Sequence, residues 1–188
     1  NWGHKLVSND VGVVSNEEIR GTFRTQGWPH FHSVSYRILF SEPADSIRMF
    51  TDGKETPASV PSKIHSDKDL KYHFKFPASD KPLLVKVALS PVDTDGAVKN
   101  MESELPEWDF DATVAQSEQV WNEALNRVSM TSSDPVVMKN FYTALYHSMI
   151  APFAYQDVDG RYLGMDKQVH TAEAGYTNYT VFSLWDTF

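Results

Sequence analysis

The sequence predicts a β-sandwich followed by the opening of a helical domain. Three observations carry this. Up to about residue 90 the apolar residues alternate with period two. From about residue 94 they recur at helical spacing. The chain has 188 residues, 41% of them hydrophobic, which suffices for one or two packed domains.

The strands come first. Val34, Tyr36, Ile38 and Phe40 share one face, and Ser33, Ser35 and Arg37 the other. A shorter strand over 46–50 runs into Asp52-Gly53, a turn signal. Leu70, Tyr72, Phe74 and Phe76 alternate with Lys71, His73 and Lys75, and Leu83, Val85, Val87 and Leu89 form a further run. Antiparallel strands with one buried face give this pattern. Few clear strands precede Val34, so the sandwich is expected to be partial.

Helices follow. Residues 94–105 read as helical and Pro106 ends the segment. Asp111 is expected to cap a second helix with Val114, Trp121, Leu125 and Val128 along one stripe. Asp134-Pro135 opens a third, with proline where its missing N–H costs nothing. Met138, Tyr142, Leu145 and Met149 line one face, and Pro152 stops it. A short hairpin is expected around Asp159-Gly160, then a strand over 177–184. Trp185-Asp186 reads as a turn into a helix capped by Asp186, a cap with no helix body, so the chain reads as a fragment.

Composition excludes several classes. A net charge of −8 argues against nucleic acid, which calls for a basic stripe. With no cysteine, neither a disulfide framework nor a thiolate zinc site is possible. No apolar run is long enough for a transmembrane helix, and NWGHKLVSND has no signal-peptide core. There is no glycine-rich phosphate loop after a strand and no serine nucleophile elbow.

The polar motifs mostly favour ordinary readings. Asp157-Val158-Asp159-Gly160 suggests a calcium loop, but Tyr155 and Asp166 occupy the positions that need an oxygen ligand and a glutamate. Asp93-Thr94-Asp95-Gly96 fails in the same way, with Pro91 first. Turn chemistry explains both. Glu102, Glu104, Glu107, Asp109 and Asp111 read as solvated charge. His30 and His32 flank one face beside Trp28 and are thin candidates for a metal. His147 and His170 are expected to be hydrogen-bonded structural residues. Asn178-Tyr179-Thr180 matches a glycosylation acceptor.

One long segment carries more. Asn140 to Leu145, Asp159-Gly160-Arg161-Tyr162, Gly164-Met165-Asp166 and Tyr179 to Phe188 (YTVFSLWDTF) together resemble glycoside hydrolase family 92, the exo-acting α-mannosidases. Trp108-Asp109-Phe110-Asp111 and Trp121-Asn122 resemble the family's linker helices. The resemblance spans about residues 83–188, and Leu163 departs from it where a polar residue is expected.

The resemblance implies a sandwich joined by helices to an (α/α)6 barrel. Residues 1–92 would belong to the sandwich, 93–130 to the linker and 131–188 to the start of the barrel. It implies inverting hydrolysis of terminal α-mannosides of glycans, for example α-1,2-linked mannose, by a carboxylic acid and a carboxylate base. It implies a calcium cofactor. Acid, base and calcium ligands are expected downstream, so Glu104 and Asp157 receive no such role. Trp185 and Asp186 match positions of the mannose-binding wall, where Asp186 would accept hydrogen bonds from hydroxyls and Trp185 would offer an apolar face. The chain alone is expected to be inactive and to need the rest of the barrel as its partner, in a periplasmic, cell-surface or secreted protein. The rival readings are a non-catalytic carbohydrate-binding module and a glycoside phosphorylase of similar build, which would need a phosphate site.

Overall fold

The computed structural model describes residues 5–27, 31–56, 58–62, 65–67 and 69–180. Its contacts form two compact units, 1–108 with 156–176 and 109–155 with 177–188.

The first unit contains two antiparallel sheets. The larger takes the order β6-β1-β2-β3-β8, from β1 (Lys5–Ser15), β2 (Glu18–Gln26), β3 (His32–Phe40), β6 (His65–Asp67) and β8 (Val85–Ser90). The smaller has the order β5-β4-β7, from β4 (Ser46–Thr51), β5 (Lys54–Thr56) and β7 (Leu70–Lys75). Phe40 meets Phe74 and Phe76 at ring-centroid distances of 5.2 and 5.0 Å, so the sheets share an apolar layer. Val11, Val13, Ile19 and Met49 are its most buried members. Asp52 (φ 50°) and Gly53 (φ 72°) make the β4–β5 turn, as their pairing suggests.

Strands β1 and β2 correct the expectation that few strands precede Val34. They form a long hairpin with register shifts between Leu6 and Ser8 and between Val13 and Ser15. Each shift breaks the alternation that would have revealed β1.

Helix α1 (Thr94–Glu104) matches the expected span. Asp93 caps it by accepting the Gly96 N–H at 2.7 Å. It packs on β3 and β8, with Ala97 and Met101 buried. This reverses the expected facing of the sheet edge. Ser35, Lys86 and Ser90 are buried on the α1 side, while Val85, Val87 and Leu89 are 50%, 52% and 58% exposed on the other. A helix covers the face that alternation alone marks as polar. Beneath it Glu18 accepts from Arg20 Nε at 2.6 Å and Arg37 Nε at 2.9 Å. Burial pushes the Glu18 pKa up, but those hydrogen bonds outweigh it and the net shift is downward.

The second unit contains α2 (Phe110–Leu125) and α3 (Pro135–Met149), which pack on each other. Asp109, not Asp111, caps α2 by accepting the Ala112 N–H at 2.8 Å, and α2 ends before Val128. Asp134 caps α3 with Pro135 in its first turn, as expected. Trp121 rests on Tyr146 at 4.6 Å. No closed barrel is present among the described residues, and none of their helices is long and apolar enough to cross a membrane.

Candidate functional site

Trp185 and Asp186, the expected sugar contacts, lie outside the described residues, as does His30. Around the other motif residues the structure builds three features.

The first is a buried polar hub in the first unit. Asp157 is 0% exposed. Its Oδ2 accepts from Ser90 Oγ at 2.7 Å and its Oδ1 from Asn100 Nδ2 at 2.8 Å. Asn100 also donates to the Leu89 carbonyl at 2.8 Å and accepts from the Val158 N–H at 2.9 Å. Gly96 lies against the carboxylate, where an added Cβ would sit 2.2 Å from Asp157 Oδ2. The sequence gives Asp157 only turn chemistry, and the turn is there: the Gly160 N–H bonds to the Asp157 carbonyl at 2.8 Å, with Gly160 at φ +83°. The hub itself has no local signal, because its partners lie 57 and 67 residues away.

A surface ion network adjoins it. Arg161 donates to Asp93 at 2.7 Å and to Asp159 at 2.9 Å, and Lys99 donates to Asp159 at 2.8 Å. The hydrogen bond from Lys99 is the main reason the Asp159 carboxyl drops to about 2, with Arg161 adding to it. The hydrogen bond from Arg161 lowers Asp93 as well. These residues border a shallow depression of about 590 Å³.

The third feature is a hairpin of β9 (Arg161–Leu163) and β10 (Val169–Thr171). Its turn lies at 164–168, which corrects the expected turn at Asp159-Gly160. The Lys167 N–H bonds to the Gly164 carbonyl and the Gly164 N–H to the Gln168 carbonyl, both at 2.9 Å. Lys167 takes φ +63°. His170 stands opposite Tyr162, and its Nε2 lies 2.9 Å from Asp166 Oδ2. The Gln168 N–H bond and then His170 hold the Asp166 carboxyl below its usual range.

Asn178 Nδ2 donates to the Tyr155 carbonyl at 2.9 Å, so the acceptor amide of the glycosylation motif is engaged. Tyr179 bridges to Ala154 beside it. Glu102, Glu104, Glu107, Asp109 and Asp111 are not buried. His32 is exposed, and His147 lies beside Tyr146 in the last turn of α3. Among the described residues no three His, Cys, Asp or Glu side chains form a group that could hold a metal. A cleft of about 500 Å³ over β1 and β2 is lined by polar groups already joined in pairs, Arg24 with Asp10 and Thr22 with Ser35.

Known proteins share this fold. Residues 96–188 match the glycosyl hydrolase family 92 catalytic domain. The whole fold superposes on a family 92 α-mannosidase from Bacteroides thetaiotaomicron with a TM-score of 0.88 and 33% identity, over 98% of this chain and 25% of that one. The chain belongs to glycoside hydrolase family 92. A second family 92 glycosyl hydrolase structure aligns with a TM-score of 0.82 and 25% identity, over 98% of this chain and 24% of that one. A protein of Arthroderma benhamiae, described as an uncharacterized secreted glycosidase, is 36% identical over 74 residues, covering 37% of this chain and 10% of that protein. The chain thus spans about a quarter of the length of its solved family 92 relatives.

Proposed function

We propose that the polypeptide carrying this segment is an inverting exo-α-mannosidase that trims terminal α-mannosides from glycans. The observation that supports this best is the 33% identity to an α-mannosidase over 98% of the chain. The same relative has also been solved in complex with mannoimidazole, a mannose-like ligand. In this reading the sandwich (1–92), linker (93–130) and barrel start (131–188) are parts of one larger enzyme. Trp185 and Asp186 face the mannose, Asp186 accepting hydrogen bonds from its hydroxyls and Trp185 covering its apolar side. The acid, the base and the calcium ligands come from the rest of the polypeptide. Calcium, when bound, supplies positive charge and oxygen coordination to sugar hydroxyls. The relative described as a secreted glycosidase supports placing the enzyme outside the cytoplasm.

The test is mannose release by the full-length polypeptide from α-linked mannobiose, with and without a calcium chelator. Release that the chelator abolishes and calcium restores is the expected result. Release that the chelator leaves unchanged removes the calcium part of the proposal, and absence of release removes the activity. Asp186→Asn is expected to lower kcat/KM for mannobiose by about tenfold or more, the scale of one charge-assisted hydrogen bond. The 188-residue chain alone is expected to release nothing.

A further inference from the structure

We propose that Asn178 and Thr180 are positioning residues: their side chains clasp the backbone at 153–155 and so set the stretch that carries Trp185 and Asp186. This role rests on the mannosidase reading, in which Asp186 faces the mannose.

Four hydrogen bonds make the clasp. The Tyr155 N–H donates to the Asn178 carbonyl at 2.8 Å, and the Thr180 N–H to the Phe153 carbonyl at 2.9 Å. Asn178 Nδ2 donates to the Tyr155 carbonyl at 2.9 Å, and Thr180 Oγ1 accepts from the Phe153 N–H at 3.1 Å. Between these ends Ala154 and Tyr179 stand opposite each other in an isolated antiparallel bridge. In a regular antiparallel pair both bonds at each end run between backbones. Here a side chain makes one of the two at each end. Asparagine supplies a donor and threonine an acceptor, so the residue types at 178 and 180 decide whether the clasp closes. An apolar residue at either position would cost a backbone group of 153–155 its partner.

So short a pairing needs that help. A lone two-stranded ladder is marginal in water even at full length, and this one is a single bridge. One side of it begins four residues after Met149, the end of α3, and α3 packs on α2. The other side leads into 181–188. Trp185 and Asp186 follow Thr180 by five and six residues and belong to the same compact unit as α3. A carboxylate that accepts from sugar hydroxyls must sit at one place, since a misplacement of about 1 Å can cost about a hundredfold in rate. A clasp at the root of the stretch ties it to the packed helices. Asn178 and Thr180 act through Asp186 and touch no sugar themselves.

The experiment measures kcat/KM for α-linked mannobiose with the full-length polypeptide as wild type, Thr180→Val, Asp186→Asn and the double variant. Valine keeps the shape of threonine and removes Oγ1. In the wild-type background Thr180→Val is expected to lower kcat/KM about tenfold or more, while Thr180→Ser, which keeps the hydroxyl, stays within about threefold of wild type. With Asp186→Asn already present, Thr180→Val is expected to lower it by only about threefold or less, because the contact it positions is gone. A reduced folded fraction would lower both backgrounds by the same factor. Equal factors therefore overturn the proposal, as does wild-type activity in Thr180→Val, and the mannosidase reading survives either result. Full activity in Asp186→Asn removes the mannose contact and this role with it. No release by the wild-type enzyme overturns both. Should Thr180→Val yield no folded protein, Asn178→Ala runs the same cycle, since it removes the Nδ2 donor and leaves the backbone bonds and Thr180 in place.

Discussion

Replacing Asp157 by alanine tests the buried hub directly. The substitution removes the acceptor of Ser90 Oγ–H at 2.7 Å and of one Asn100 amide hydrogen at 2.8 Å. Both donors stay buried, since Ser90 is 0% and Asn100 8% exposed. Neither is rescued nearby. Ser90 Oγ already accepts from the Val92 and Asp93 N–H groups, which does nothing for its own proton, and the second Asn100 hydrogen is committed to the Leu89 carbonyl. Two orphaned donors at about 1–3 kcal/mol each put the loss near 2–6 kcal/mol. That is a large fraction of the roughly 5–15 kcal/mol that holds a domain together. Gly96→Ala attacks the same point by placing a methyl group 2.2 Å from Asp157 Oδ2 and 2.5 Å from Ser90 Oγ. The double variant should therefore lose less than the sum of the singles, because Asp157→Ala removes one of the two clashing groups. Urea unfolding of the four proteins of this cycle is the assay. A loss below about 1 kcal/mol for Asp157→Ala, or strict additivity in the cycle, would refute the reasoning.

The other predictions concern separate features. Asp159 falls to about 2 in the folded protein, below the ordinary carboxylate value, so its stabilising contribution is full above about pH 4 and is lost as pH falls toward 2; Asp93 shifts the same way, and an acid titration of stability should show its decline in that window, with Asp159→Asn flattening it. Lys86 donates to the Leu105 and Pro106 carbonyls at 2.7 and 3.1 Å and lies 4.3 Å from the centre of the Trp108 ring, so Lys86→Met should cost about 1–3 kcal/mol and shift tryptophan emission to the red. Lys167 occupies the left-handed region at φ +63°, and Lys167→Gly should raise the unfolding midpoint, by relief of about 1 kcal/mol of backbone strain.

Legibility in the sequence followed how local the cause was. Helix caps act within three residues, so α1 and α3 could be placed from Pro106 and from Asp134-Pro135. The α2 cap was misplaced because two aspartates, Asp109 and Asp111, compete for it and only geometry chooses. Strand β3 shows clean alternation, whereas the register shifts of β1 break it. In β8 the period was right and the facing wrong, since alternation cannot say that a helix will cover Lys86 and Ser90. The resemblance found the family, but neither the Asp157 hub nor the Asp166–His170 pair could be read from residue types alone. Asp157 is made a hub by partners dozens of positions away, and Asp166–His170 by a turn that brings a carboxylate back over Gly164.

The hub also bears on synthesis. Residues 1–108 share a unit with 156–176, so the ribosome makes this unit in two instalments. Ser90 and Asn100 emerge well before the aspartate that will satisfy them. At about 5–20 residues per second, the 49 residues from 108 to 157 take roughly 2–10 s to add. Throughout that interval the nascent sheets and α1 have unpaired donors where a carboxylate belongs, and both helices of the second unit are made before it arrives. Completion of the first unit is thus timed by the second, and a gene cut at residue 108 would yield a protein held indefinitely at that waiting stage.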